Sequence, residues 1–225
     1  MKRKLTIAFF LFCLPMAVIF AQQNTKKFTG TITYRITYPS TSSNPMIASL
    51  PTTIEMQIAG NKARTELVLP FGKNTYIING DDFTVTRLAE MESGKYFVKK
   101  TKEDFVMKSP PMIVPLKETK SIAGQNCKAS EVNFVNGDKS TKSKVYYSED
   151  LGTNNIYFNT DIRSLSGIML EFEYNLMGIP VQLSAISVTP GRISNKLIEI
   201  PSGYTETTEA KLRELRGPIN KPATK

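Results

Sequence analysis

The strongest constraint in this chain is alternation. From 29 to 38, Ile32, Tyr34, Ile36 and Tyr38 fall on one face of an extended strand and Thr31, Thr33, Arg35 and Thr37 on the other. A half-buried strand imposes this period of two. The pattern returns with Ile54, Met56 and Ile58 set against Glu55 and Gln57, and with Ala63, Thr65, Leu67 and Leu69 set against Arg64, Glu66 and Val68. Further strands are predicted at 74–78, 83–88, 96–98, 128–134, 142–148, 168–174, 181–188 and 196–200. Asn79-Gly80-Asp81-Asp82 is a hairpin turn, and turns at 136–138 and 177–180 punctuate the later strands.

Strands joined by short turns, without an alternating run of helices, give an antiparallel sheet and exclude a parallel α/β fold. The expected class is mainly β, with α+β as the variant. Helical segments are confined to 101–108 and 207–216, the latter with a narrow stripe of Ala210, Leu212 and Leu215. A single sheet of this size curls, which predicts a strongly curved half-barrel or barrel-like sheet with an apolar concave face. Two connections stand out. The stretch 39–53 is rich in Ser, Thr and Pro and reads as a long flexible loop. The stretch 109–116 combines Pro110-Pro111 with Met112, Ile113, Val114 and Leu116. It reads as a loop that is either a lid over a hydrophobic cavity or a segment plugging the core.

Lys2, Arg3 and Lys4 precede an apolar run to Phe20, and Ala21 stands before Gln22 and Gln23. This is the layout of a secretory signal, with cleavage expected after Ala21. Phe12 before Cys13 argues against a lipoprotein. The expected organisation is a signal peptide at 1–21, one β-rich domain at 22–216 and a flexible tail at 217–225. The expected location is the periplasm or the outer membrane of a Gram-negative cell. Loss of the signal leaves Cys127 without an intramolecular partner, so it is read as a buried packing residue. The net charge of +9 is scattered in short pairs and falls by three with the signal, which disfavours nucleic acid. No second apolar run approaches the ~20 residues of a membrane span, and a monomer is expected.

The 225 residues contain no His. That removes Ser-His and Cys-His nucleophile pairs and the usual zinc ligand. Ser-x-x-Lys and glycine-rich phosphate loops are also missing. Asp81 and Asp82 belong to a turn, whereas Glu171 and Glu173 share the polar face of a strand. Neither pair suits acid–base catalysis or metal binding. The reading is therefore of a protein that is not an enzyme and has no metal or cofactor.

Four segments carry a resemblance to a known family. Phe28-Thr-Gly30-Thr-Ile32-Thr-Tyr34 matches an F-x-G-x-I-x-Y start, and Glu118-Thr-Lys-Ser-Ile122-Ala-Gly124-Gln-Asn-Cys127-Lys128 matches E-T-K-x-I-x-G-x-x-C-K. Ser164-Leu165-Ser166-Gly167-Ile168-Met169-Leu170-Glu171 stands where a G-L-P-G-L-I motif followed by L-E would be, with Ser164 for Gly and Ser166 for Pro. Pro201-Ser-Gly203-Tyr204 matches P-x-G-Y. The chain thus resembles the exported GLPGLI family of Gram-negative bacteria, whose function is unknown. The resemblance implies one domain with a curved sheet like that of the Lol-type lipoprotein carriers. Gly124 and Gly167 are read as positions where a turn, a bulge or a close backbone contact excludes a side chain.

Two functions of different kind follow. In the first, a lipid, acyl chain or other apolar ligand lies in the concave face on Ile32, Tyr34, Ile36, Ile54, Met56, Ile58, Leu170, Phe172 and Tyr174. Pliable methionines such as Met56, Met112 and Met169 would suit such a cavity. In the second, the concave face is filled by its own side chains and the protein is a structural or interaction partner of envelope proteins.

Overall fold

The computed structural model describes residues 27–39, 45–107, 109–136, 139–152 and 155–216. The expected signal segment, the tail 217–225 and the turn residues 137–138 lie outside them. Six strands follow one another first: β1 (Thr29–Thr37), β2 (Thr53–Ala59), β3 (Lys62–Leu69), β4 (Gly72–Asn79), β5 (Thr84–Met91) and β6 (Gly94–Lys100). A second run holds β7 (Met112–Ile122), β8 (Gln125–Asn136), β9 (Lys139–Ser148), β10 (Ile168–Leu176) and β11 (Ile179–Pro190). The two-residue β12 (Thr205–Glu206) and the helix α1 (Glu209–Arg216) end the described chain. All twelve strands form one sheet in the order β12-β6-β5-β4-β3-β2-β1-β11-β10-β9-β8-β7, open at β12 and β7. The fold is mainly β with few helices, of the half-barrel rather than the closed kind.

Each run is an antiparallel meander, because a short turn can only return the chain alongside itself. The two meanders meet at β1 and β11, where Ile36 stands opposite Leu183 and Tyr34 opposite Ala185. The register carries one apolar face across this seam. Phe172 faces Leu183, Tyr34 faces Ile54, Met56 faces Thr65, and Tyr76 faces both Thr65 and Arg87. The β7 edge folds back over the face opposite the apolar one, where Lys120 reaches over β8 and β9 to Glu171 of β10 at 2.8 Å. Three spacings of a flat sheet would set those strands about 14 Å apart.

The chain after β11 crosses the sheet from the β1 side to β6. Residues 191–204 take the face opposite the apolar one: the 3-10 turn Asn195–Ile198 touches β3, and the Tyr204 hydroxyl donates to Glu90 at 2.7 Å. Glu90 lies two positions from Leu88, which is buried on that same outer face. β12 then pairs parallel with β6, and α1 turns the edge onto the inner face, where Leu212 packs on Ala89 and Val98. Burying Leu212 stabilises this contact by about 1.5–3 kcal/mol.

Two expectations are corrected here. The stretch 196–200 lies in the crossover, with a 3-10 turn to Ile198 and no strand, since it passes over the face of β3, an interior strand whose edges are already paired. The stretch 109–116 is no loop. From Met112 it is the first half of the edge strand β7, paired to β8 with Met112 opposite Asn133 and Pro115 opposite Ser130. Proline is tolerated there because one side of an edge strand needs no backbone donor. Of the stretch 39–53, residues 40–44 lie outside the described chain, whereas Pro45–Ser49 is a 3-10 turn. The segment 101–108 contains the 3-10 turn Lys102–Phe105, begun by Thr101 and Asp104 in a capping box.

Gly167 has φ +122, and a Cβ there would lie 2.5 Å from the Ser148 carbonyl oxygen. This is the close backbone contact expected of it. Gly124, at φ +77, makes the β7–β8 turn.

Candidate functional site

The concave face is hollow. A cavity of about 830 Å³ lies against it, and ten of the twelve strands contribute to its wall. The apolar wall is built from both meanders, with Ile36, Met56, Leu67 and Val98 from the first and Val145, Phe172 and Leu183 from the second. Strand alternation explains why they converge, since each is the inward member of its pair.

One end of the hollow is closed by the segment between β9 and β10. Its 3-10 turn Asn155–Tyr157 buries Ile156 and Tyr157, and Asn155 sits against Gly80 of the β4–β5 turn. Phe158 follows, packed edge-on against Phe83 at 5.4 Å and Phe105 at 5.7 Å. A β-bulge anchors this end. Met169 stands opposite Tyr147 and Glu171 opposite Tyr146, so Leu170 is the extra residue. A bulge takes backbone groups out of the ladder, and two tyrosines meet them. The Tyr34 hydroxyl donates to the Met169 carbonyl at 2.8 Å, and the Met169 amide donates to the Tyr157 hydroxyl at 3.2 Å. Burial pushes both phenols well above their ordinary pKa, so both stay neutral, Tyr34 as donor and Tyr157 as acceptor.

Of the nine residues expected to line the concave face, Tyr34, Ile36, Ile54, Met56, Phe172 and Tyr174 do. Ile32, Ile58 and Leu170 do not; all three are fully buried in filled core. Leu170 is missed because period-two reading assumes an unbroken strand. The bulge shifts the phase by one, which brings Met169 into the wall instead. The expected lid or plug residues Met112, Ile113, Val114 and Leu116 do not line the cavity. Met112 and Val114 are exposed on β7, whereas Ile113 and Leu116 pack at the margin of the core.

Asp81 accepts from Asn61 of the β2–β3 turn, and Asp82 accepts from Asn79 of its own turn. Glu171 is paired with Lys120 on the outer face. Cys127 is buried, and desolvation pushes its thiol up, away from the reactive thiolate. Among the described residues no cluster of metal-ligating side chains occurs, and no helix is long and apolar enough to cross a membrane.

Sequence reasoning missed the polar end of the hollow, at α1. Arg87 of β5 donates to Asn74 at 2.9 and 3.1 Å and to Glu209 of α1 at 2.8 Å. Lys100 lies 3.6 Å from the other Glu209 oxygen, and Arg216 lies 5.8 Å from the centre of the Phe71 ring. All but Phe71 line the cavity. The inward stripe of α1 is therefore Glu209, Leu212 and Arg216, at helical spacing of three and four, not Ala210, Leu212 and Leu215. A search for apolar spacing passes over a stripe whose outer members are charged. Tyr174 completes this region. It is 47% exposed, yet the space it faces is the cavity, and burial pushes its phenol upward. No family model and no curated protein matches the chain.

Proposed function

We propose that this protein is an envelope binding module that holds a lipid, acyl chain or other apolar ligand in its concave face without transforming it. The supporting observation is the hollow itself: about 830 Å³ walled by inward apolar residues of both meanders. Ligand sites fall in the range of roughly 300–1,000 Å³ and are mainly apolar with a few placed polar groups. A concave face filled by its own side chains would leave no such space, so the hollow favours a ligand over a purely structural role. Export to the periplasm and kinship with the GLPGLI proteins belong to the same reading and rest on the terminal signal and the four motifs.

The test is native mass spectrometry of the mature protein purified from a cell envelope, with lipid extraction of the same sample. A stoichiometric apolar mass, lost when Phe172→Asp puts a charge into the apolar wall, is the expected result. A clean unliganded mass, with no uptake of added acyl chains, overturns the reading.

A further inference from the structure

The polar end of the hollow has an uneven charge. Three cations converge there, Arg87, Lys100 and Arg216, around one carboxylate, Glu209. Glu209 is already divided, one oxygen on Arg87 and the other towards Lys100. Arg216 lies over the face of Phe71 and makes no salt bridge with any described residue, so Glu209, already shared, reaches it only at longer range. The other acids of the cavity wall, Asp161 and Glu173, pair with none of the three cations. Cations held in a partly desolvated cavity gain from an anion that replaces lost hydration. Desolvation, and after it the neighbouring Arg87 charge, lowers the pKa of Arg216, the signature of a cation short of a counter-ion. The remaining cation of the wall, Lys144, is paired with Glu118, and from the three cations at α1 the wall runs inward through Tyr76, Leu67, Met56 and Ile36.

We propose that this cavity takes an anionic amphiphile, its carboxylate or phosphate head on Arg216, Lys100 and Arg87 and its apolar chain along the strand residues behind them. The inference rests on the reading of the hollow as a ligand site and adds the chemistry of the head. It also gives α1 a role: the helix carries one of the three cations and the acid that arranges the other two.

Calorimetric titration of the full mature chain with myristate, myristyl phosphate and monomyristoylglycerol tests it, because the three share one chain and differ in the head. The anionic probes should bind at least about tenfold more tightly than the neutral one, as a charged hydrogen bond supplies. Arg216→Gln and Lys100→Gln should each erase most of that preference and leave monomyristoylglycerol unchanged, whereas Arg216→Lys should keep it. The tighter of the two anions identifies a carboxylate or a phosphate source. Equal affinity for all three probes, or equal weakening of all three by Arg216→Gln, overturns the head-group assignment and leaves the apolar-ligand reading standing. Binding of none overturns both.

Discussion

Glu90 stands where three parts of the chain meet. Its carboxylate contacts Lys73 of β4 at 2.7 Å, Lys95 of β6 at 3.6 Å and the Tyr204 hydroxyl of the crossover at 2.7 Å. Lys73 first and Tyr204 second hold its pKa at about 2, below the ordinary 4.5. The unfolded chain thus binds a proton on this group before the native one does. Its contribution to stability is complete above pH 4.5 and is lost as pH falls towards about 2. Glu90→Gln should lower stability above pH 4.5, where the contribution is complete, flatten the acid limb in that window and leave stability near pH 2 little changed, as urea titrations at several pH values will read. Gly167 is the second residue whose surroundings fix its identity. With φ +122 and a Cβ position 2.5 Å from a carbonyl, Gly167→Ala should cost about 1–3 kcal/mol in urea unfolding. The sequence pointed to Gly167 through its motif, whereas the partners of Glu90 come from residues far along the chain.

Elements were legible where one period governed them. β1 to β5 and β8 to β11 were legible, most clearly β1, where Ile32, Tyr34 and Ile36 are buried on one face and Arg35 and Thr37 stay exposed on the other. β7 was hidden by Pro110-Pro111 and Pro115, residues that normally mark loops but are compatible with the start of an edge strand. The helix α1 was legible as a segment but not in its rotation. Eight residues are too few for a stable helix in water. Its orientation is set by Leu212 entering the gap over Ala89 and Val98, with Glu209 and Arg216 following to the cavity. Leu212→Ala should therefore release α1, at a cost of about 2 kcal/mol, the low end for a buried leucine in a peripheral element. Hydrogen exchange should show fast amides in 209–216 while β1–β11 stay protected.

At the scale of the molecule the decisive fact is that two meanders share one sheet yet leave a space between their inward faces. Met56 is half-buried in that wall, and the chain has no tryptophan of its own. Met56→Trp should fit into the hollow with little loss of stability, give a blue-shifted emission and change that emission when an acyl probe enters; thermal unfolding and fluorescence titration read these effects. The sequence by itself determined the class of fold and six of the nine inward residues, because alternation is a local property of strands. Only the tertiary structure decided that β1 pairs with β11, that a bulge turns Met169 inward and Leu170 away from the wall, and that the face is hollow. It alone brought Arg87, Lys100, Glu209 and Arg216 together. Such outcomes depend on how distant segments share limited space, and no period along the chain encodes them.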